Sequence, residues 1–199
     1  MMLLALLLMA DAPVKLAAAQ SVNPELKRVS IIPAHGRSSQ VQVGIVVDER
    51  GLVVRCTAET LSGGDIRGEA CRQLSTGVFR VALDKSGRPA FGIVKSKYSY
   101  NGDDGGIPPY SASPEASFFS PPIPDFLTLP RNVLLLIEVD PVGKVQACAQ
   151  SGSDQPPRLG EIACVQAMAS WTAPIVTDRA GKPVTYITRL SSVVIPKAP

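Results

Sequence analysis

The chain holds few residues able to do chemistry. It has four cysteines, Cys56, Cys71, Cys148 and Cys164, and a single histidine, His35. A zinc site needs thiolates and imidazoles at short ligand spacing; there is no Cys-x-x-Cys, and His35 has no partner at such a spacing, which argues against metal. A Ser-His-Asp relay would have to use the same His35, which lies in the loop sequence "PAHGRSS". Asp48, Glu49, Glu138 and Asp140 read as hairpin-turn residues, where carboxylates serve the backbone. No glycine-rich phosphate loop follows a strand. Asn101, Asp103 and Asp104 do not have the spacing of a calcium loop. The expectation is a protein that is not an enzyme, with no catalytic residues, no metal and no cofactor, whose cysteines form disulfides in an oxidising compartment.

The elements that position those cysteines come twice. "VQVGIVVDERGLVVRC" in the first part of the chain parallels "VLLLIEVDPVGKVQAC" in the second. Each runs an apolar strand into Val-Asp, two further residues and a glycine, then a second strand, which is the grammar of a hairpin. A polar loop and a short helix follow. Ile66, Ala70, Cys71 and Leu74 share one helical face, and Leu159, Ala163, Cys164 and Ala167 repeat the spacing. Then the pattern D-x-x-G-[RK]-P, at 84–89 and again at 178–183, turns the chain into a third strand. The fold class is therefore α+β, with two tandem β-β-α-β units at 41–100 and 133–195, the product of a duplication. Equal placement pairs Cys56 with Cys71 and Cys148 with Cys164. Val53 and Cys56 are three residues apart, as are Val145 and Cys148, so both members face the helix only if the strand carries a bulge or a strong twist.

Residues 101–131 between the units hold seven prolines, which favours an extended linker between separately folded units. The N-terminus is an apolar run, Met1 to Ala10, broken by Asp11 and Lys15 and followed by Ala17-Ala18-Ala19. That is about half the length of a spanning helix, and it reads as a signal peptide covering 1–19 with cleavage before Gln20. The alternative is an anchor in the inner membrane. The net charge of +3, with Lys and Arg scattered, gives no reason to expect nucleic acid as a partner.

The order of these features resembles the C-terminal domain of the TonB energy-transducer family. Val139-Asp140, Gly143, Val145, Trp171, Ala173-Pro174, Asp178, Gly181, Lys182 and Pro183 carry the resemblance in the second unit. Val47-Asp48, Gly51, Val53, Phe79, Asp84, Gly87 and Pro89 carry it in the first. The resemblance implies a periplasmic module that takes an extended peptide or protein partner, such as an outer-membrane receptor, by β-strand addition. The edge expected to do so is the last strand, Val184, Thr185, Tyr186, Ile187, Thr188, Arg189 and Leu190, which has few of the charges that blunt exposed edges. The rival functions are an interaction protein whose two sheets pair with each other or in a homodimer, leaving no free edge, and a membrane-anchored transducer of the TonB type.

Overall fold

The computed structural model describes residues 16–21, 38–100, 116–120, 130–152 and 156–196. His35, Asn101, Asp103, Asp104, residues 1–15 of the expected leader and most of the proline-rich segment lie outside the described residues. In chain order the elements are β1 (Gln20–Ser21), β2 (Ser39–Val47), β3 (Val53–Ser62), α1 (Arg67–Leu74), β4 (Phe79–Arg80), β5 (Ala82–Leu83), β6 (Pro89–Tyr100), β7 (Ala116–Ser120), β8 (Arg131–Val139), β9 (Val145–Gln150), α2 (Pro157–Ser170) and β10 (Tyr186–Pro196).

The fold is α+β, but the expected two sheets are one. Eight strands form a single sheet in the order β3-β2-β6-β10-β8-β9, with β5 beside β6 and β7 beside β10. Each half is a hairpin whose first strand also pairs antiparallel with the half's last strand, β2 with β6 and β8 with β10. The halves meet where β6 and β10 run parallel, Phe91 opposite Tyr186 and Gly92 opposite Ile187.

Both hairpins are built by the same local chemistry. At Asp48 and at Asp140 the side-chain Oδ1 accepts the backbone N–H groups two and four residues on, each at 2.9 Å. Gly51 and Gly143 close these turns at φ +82° and +87°, a conformation that side chains other than glycine rarely adopt. The turns at Asp84 and Asp178 repeat the arrangement, with N–H to Oδ1 distances of 2.8–2.9 Å. The bulge that the cysteine spacing requires is present twice. Val47 pairs with Val53 while Val46 pairs with Arg55, which leaves Val54 as the extra residue. Val139 pairs with Val145 while Glu138 pairs with Ala147, which leaves Gln146. Val53 and Cys56 consequently pack on one core, and Val145 and Cys148 on another.

Disulfides join Cys56 to Cys71 and Cys148 to Cys164, with Cα separations of 5.6 and 5.4 Å, so each helix is fastened to the second strand of its own hairpin. Closing loops of this length contributes about 3 kcal/mol apiece in the chain-entropy account.

The two helices lie on opposite faces of the sheet. Val41, Val43, Ile45 and Val47 pack with Ile66, Ala70 and Leu74 of the α1 region, and Ile187 and Leu136 of the other half join that cluster. Val133, Leu135, Ile137 and Val139 pack with Leu159, Ala163 and Ala167 of α2, together with Val46 of the first half. Side chains alternate between faces along a strand, and Gly92 stands opposite both Val47 and Ile187. The halves are thus related by a half-turn about an axis along the strands, which carries β6 onto β10 without reversing it and moves the helix to the other face.

Candidate binding site at the seam

The last strand is where the sequence places a partner, and the structure puts it inside the sheet. Tyr186 and Ile187 are flanked by β8 on one side and β6 on the other. From Ser192 to Pro196, β7 takes the place of β6. Val184 and Thr185 precede the strand, and the Val184 N–H donates to Val176 O at 2.9 Å. The expected alternation is present: Tyr186, Thr188 and Leu190 are buried toward α2, and Ile187 is buried toward α1. Among the described residues, no strand pairs with Thr188, Arg189, Leu190 and Ser191 on the β6 side of β10. Beside this stretch lies a cavity of about 260 Å³, lined by Ala18, Ala19, Val94, Lys95, Leu134 and Arg189.

The turns of each half clasp the other across this seam. The backbone N–H of Lys85, in the turn that follows Asp84, donates to Glu138 Oε2 at 2.9 Å. Arg179, in the equivalent turn after Asp178, donates to Val53 O at 3.1 Å. Glu138 is therefore not a turn residue: it stands in β8, 7% exposed, and the position that matches it in the first half is Val46. Lys144 and Val142 donate backbone N–H groups to Asp140 and hold its carboxyl below the usual carboxylate range, the Lys144 bond acting most strongly. The Arg88 N–H does the same for Asp84. Arg67 hydrogen-bonds Asp65 and lowers its pKa to about 2. These carboxylates are occupied by turns and a helix start, and Asp65 and Asp84 also pair with Arg67 and Arg88 at 2.7 and 3.0 Å. Among the described residues no group of three or more His, Cys, Asp or Glu is placed to hold a metal ion. Nor is any helix among them long and apolar enough to cross a membrane.

No family model, curated protein or solved structure matches this chain. The site must therefore be read from comparing the two halves with each other. The Phe79 N–H donates to Gly51 O, as the Ala173 N–H does to Gly143 O. These bonds set Phe79 equivalent to Ala173, not to Trp171, and carry Arg80 onto Pro174 and Leu83 onto Thr177. Counting on from Pro89 and Pro183 carries Gly92 onto Tyr186. The register agrees, since Gly92 pairs with Val47 and Tyr186 with Val139.

The two positions are filled differently. Tyr186 is fully buried, and its hydroxyl donates to Pro174 O at 2.7 Å. That ring closes the second half from within. In the first half Gly92 supplies no side chain, and a separate segment lies over it. Residues 17–21 run antiparallel to residues 79–83. Ala17 and Leu83 exchange N–H···O bonds of 3.1 and 2.9 Å, and Gln20 and Ser21 pair with Arg80 and Phe79. Ala19 is 5% exposed and belongs to the cluster of Val47, Ala82 and Ile187. A Cβ at Gly92 would stand 2.7 Å from the Ala19 Cβ and 2.9 Å from that of Ala82, too close for either. In the sequence Ala17-Ala18-Ala19 reads as a cleavage pattern alone, so this strand is not expected from it. The signal for it in the sequence is Gly92 standing where the second copy of the repeat has Tyr186.

Proposed function

We propose that this protein is a non-enzymatic binding module that holds an extended peptide or protein segment by β-strand addition. The observation that carries the reading is the strand at 17–21, which the sheet margin at 79–83 accepts through backbone hydrogen bonds and one small buried side chain. Strand addition draws its affinity from main-chain groups, so it needs no reactive constellation. The disulfides suit an exported protein, and we place it in the periplasm after removal of a leader. The duplicated β-β-α-β pattern and its D-x-x-G turns support kinship with the TonB C-terminal domain, and an outer-membrane receptor is the partner that this kinship suggests.

The contact belongs at 79–83 rather than at 184–190, because β10 is taken up in joining the halves. Capture from a periplasmic extract tests the reading when three chains are compared. Leu83→Pro removes the N–H that Ala17 O accepts, whereas Leu83→Ala trims only the side chain. Retention of one defined protein by the parent chain and by Leu83→Ala, but not by Leu83→Pro, is the expected outcome. Equal retention by all three would exclude a backbone-mediated edge.

The second reading, an interaction protein whose sheets pair with each other, is favoured by the β6–β10 junction. It would stand if no extended segment bound along 79–83 once residues 1–19 are removed.

A further inference from the structure

We propose that the slot over Gly92 is a docking site for an extended segment of a partner protein that places alanine, glycine or serine at the position of Ala19, and that cleavage before Gln20 opens it. The inference rests on the strand-addition reading and deepens it by naming what the site selects.

Four observations lead there. First, the second half shows what fills this position when the fold closes itself: a whole tyrosine ring, bonded to Pro174 O. The first half has glycine instead, so it leaves a space that its own core does not fill. Second, that space is narrow in one direction. A Cβ at Gly92 would stand 2.7 Å from the Ala19 Cβ and 2.9 Å from that of Ala82, so the occupant's backbone lies close against the strand, and Ala19 is buried in the cluster of Val47, Ala82 and Ile187, where a longer side chain has to displace packed neighbours. Third, the margin beside the slot offers backbone groups in register, since the Leu83 N–H and C=O are both bonded to Ala17. The equivalent margin of the second half carries Pro174, which has no N–H to offer an added strand. Fourth, cleavage before Gln20, the expectation from Ala17-Ala18-Ala19, would remove residues 1–19. That would strip Ala17 from Leu83 and Ala19 from the cluster containing Val47 and Ile187, both fully buried in the closed form. Only the two-residue pairing of Gln20 and Ser21 would remain. A strand laid along 79–83 would displace that short remnant, re-cover the seam and extend toward the adjoining cavity, where Lys95 and Arg189 stand.

The chain's own segment serves as the probe. Leu83 amide exchange is followed in the intact chain, in the chain cleaved between Ala19 and Gln20, and in the cleaved chain with a synthetic peptide of residues 15–22. A second peptide carries leucine in place of Ala19. Cleavage should raise the Leu83 exchange rate at least tenfold, the alanine peptide should restore protection, and the leucine peptide should bind at least tenfold more weakly. Gly92→Tyr in the cleaved chain should abolish protection by either peptide. A full-length Ala19→Leu chain, which retains every other residue, should expose Leu83 and accept the alanine peptide, so the test does not depend on the cleaved chain alone. Equal binding of the two peptides would leave strand addition standing and overturn the small-residue slot. An exposed Leu83 that neither peptide protects would overturn both. Protection of Leu83 in the cleaved chain, alone or in a dimer, would show that the site is never vacated or that a second copy fills it, and either result would overturn the partner assignment.

Discussion

The first half of the molecule, β2-β3-α1-β6, and the second, β8-β9-α2-β10, share two D-x-x-G turns each, a bulge after the first turn and a disulfide from strand to helix. Among the differences between them, one decides how each half is closed. Where the second half buries Tyr186 and bonds its hydroxyl to Pro174 O, the first has Gly92 and takes in residues 17–21. The comparison teaches that one framework can close itself with an aromatic ring or leave that position to a separate strand while keeping the same turns, bulge and disulfide. The turns do not depend on the difference, because they satisfy their own backbone groups.

The largest expected effect comes from making the second half resemble the first. Tyr186→Gly deletes a fully buried aromatic side chain and orphans Pro174 O, and should cost about 3–5 kcal/mol by the rule for large-to-small core changes, read from chemical denaturation. A loss below about 1 kcal/mol would mean that the ring does not close the half in the way its burial suggests.

Next, replacing both members of either disulfide with serine should cost about 3 kcal/mol. Because the halves share one sheet, either double variant should lower a single unfolding transition. Two separated transitions would break the account of a continuous sheet and restore the sequence expectation of independently folded units.

Gly51→Ala and Gly143→Ala should each cost about 1–3 kcal/mol, the range for backbone strain of this kind. Their φ values are +82° and +87°, and a Cβ would approach Phe79 O to 2.3 Å and Ala173 O to 2.5 Å. Similar losses at the two sites, measured by thermal or denaturant unfolding, would sharpen the equivalence of Phe79 with Ala173.

The smallest effect is on acid stability. The carboxyls of Asp84 and Asp140 are held below the ordinary range by backbone N–H groups of Arg88 and Lys144. Their stabilisation is fully present above the unfolded carboxylate pKa of about 4 and is lost as pH falls through the lower folded values. Asp84→Asn and Asp140→Asn should flatten the fall in stability below about pH 4, one variant in each half and to a similar degree.

Much of this framework is legible in the sequence, because its determinants are local. An aspartate two residues before N–H groups it can accept, and a glycine where φ must be positive, specify a turn without help from distant residues. The three-residue spacing of Val53 from Cys56 required a bulge, and the bulge is there. The helical faces of Ile66, Ala70 and Leu74 and of Leu159, Ala163 and Ala167 are buried as their spacing implies. What could not be read is how the halves meet. Ile187 and Tyr186 are both apolar enough for a core on either face, and nothing in their alternation says that β10 would find β6. Glu138 reads as a turn residue because it adjoins Val-Asp, whereas it is buried in β8 and accepts the N–H of Lys85 from the other half. Alanines 17–19 carry two meanings at once, a cleavage pattern and a strand with a small buried side chain, and only the packing against Gly92 reveals the second.

The central claim is that Gly92 leaves the first half open where Tyr186 closes the second. It is tested most directly by amide hydrogen exchange in the full-length chain, with and without Gly92→Tyr, followed at Leu83 and Val184. The Leu83 N–H is bonded to Ala17 O in the added strand, and the Val184 N–H to Val176 O within the second half. The account predicts that Gly92→Tyr ejects the added strand, so that Leu83 loses its protection while Val184 keeps its own. Undiminished protection of Leu83 in Gly92→Tyr would contradict it.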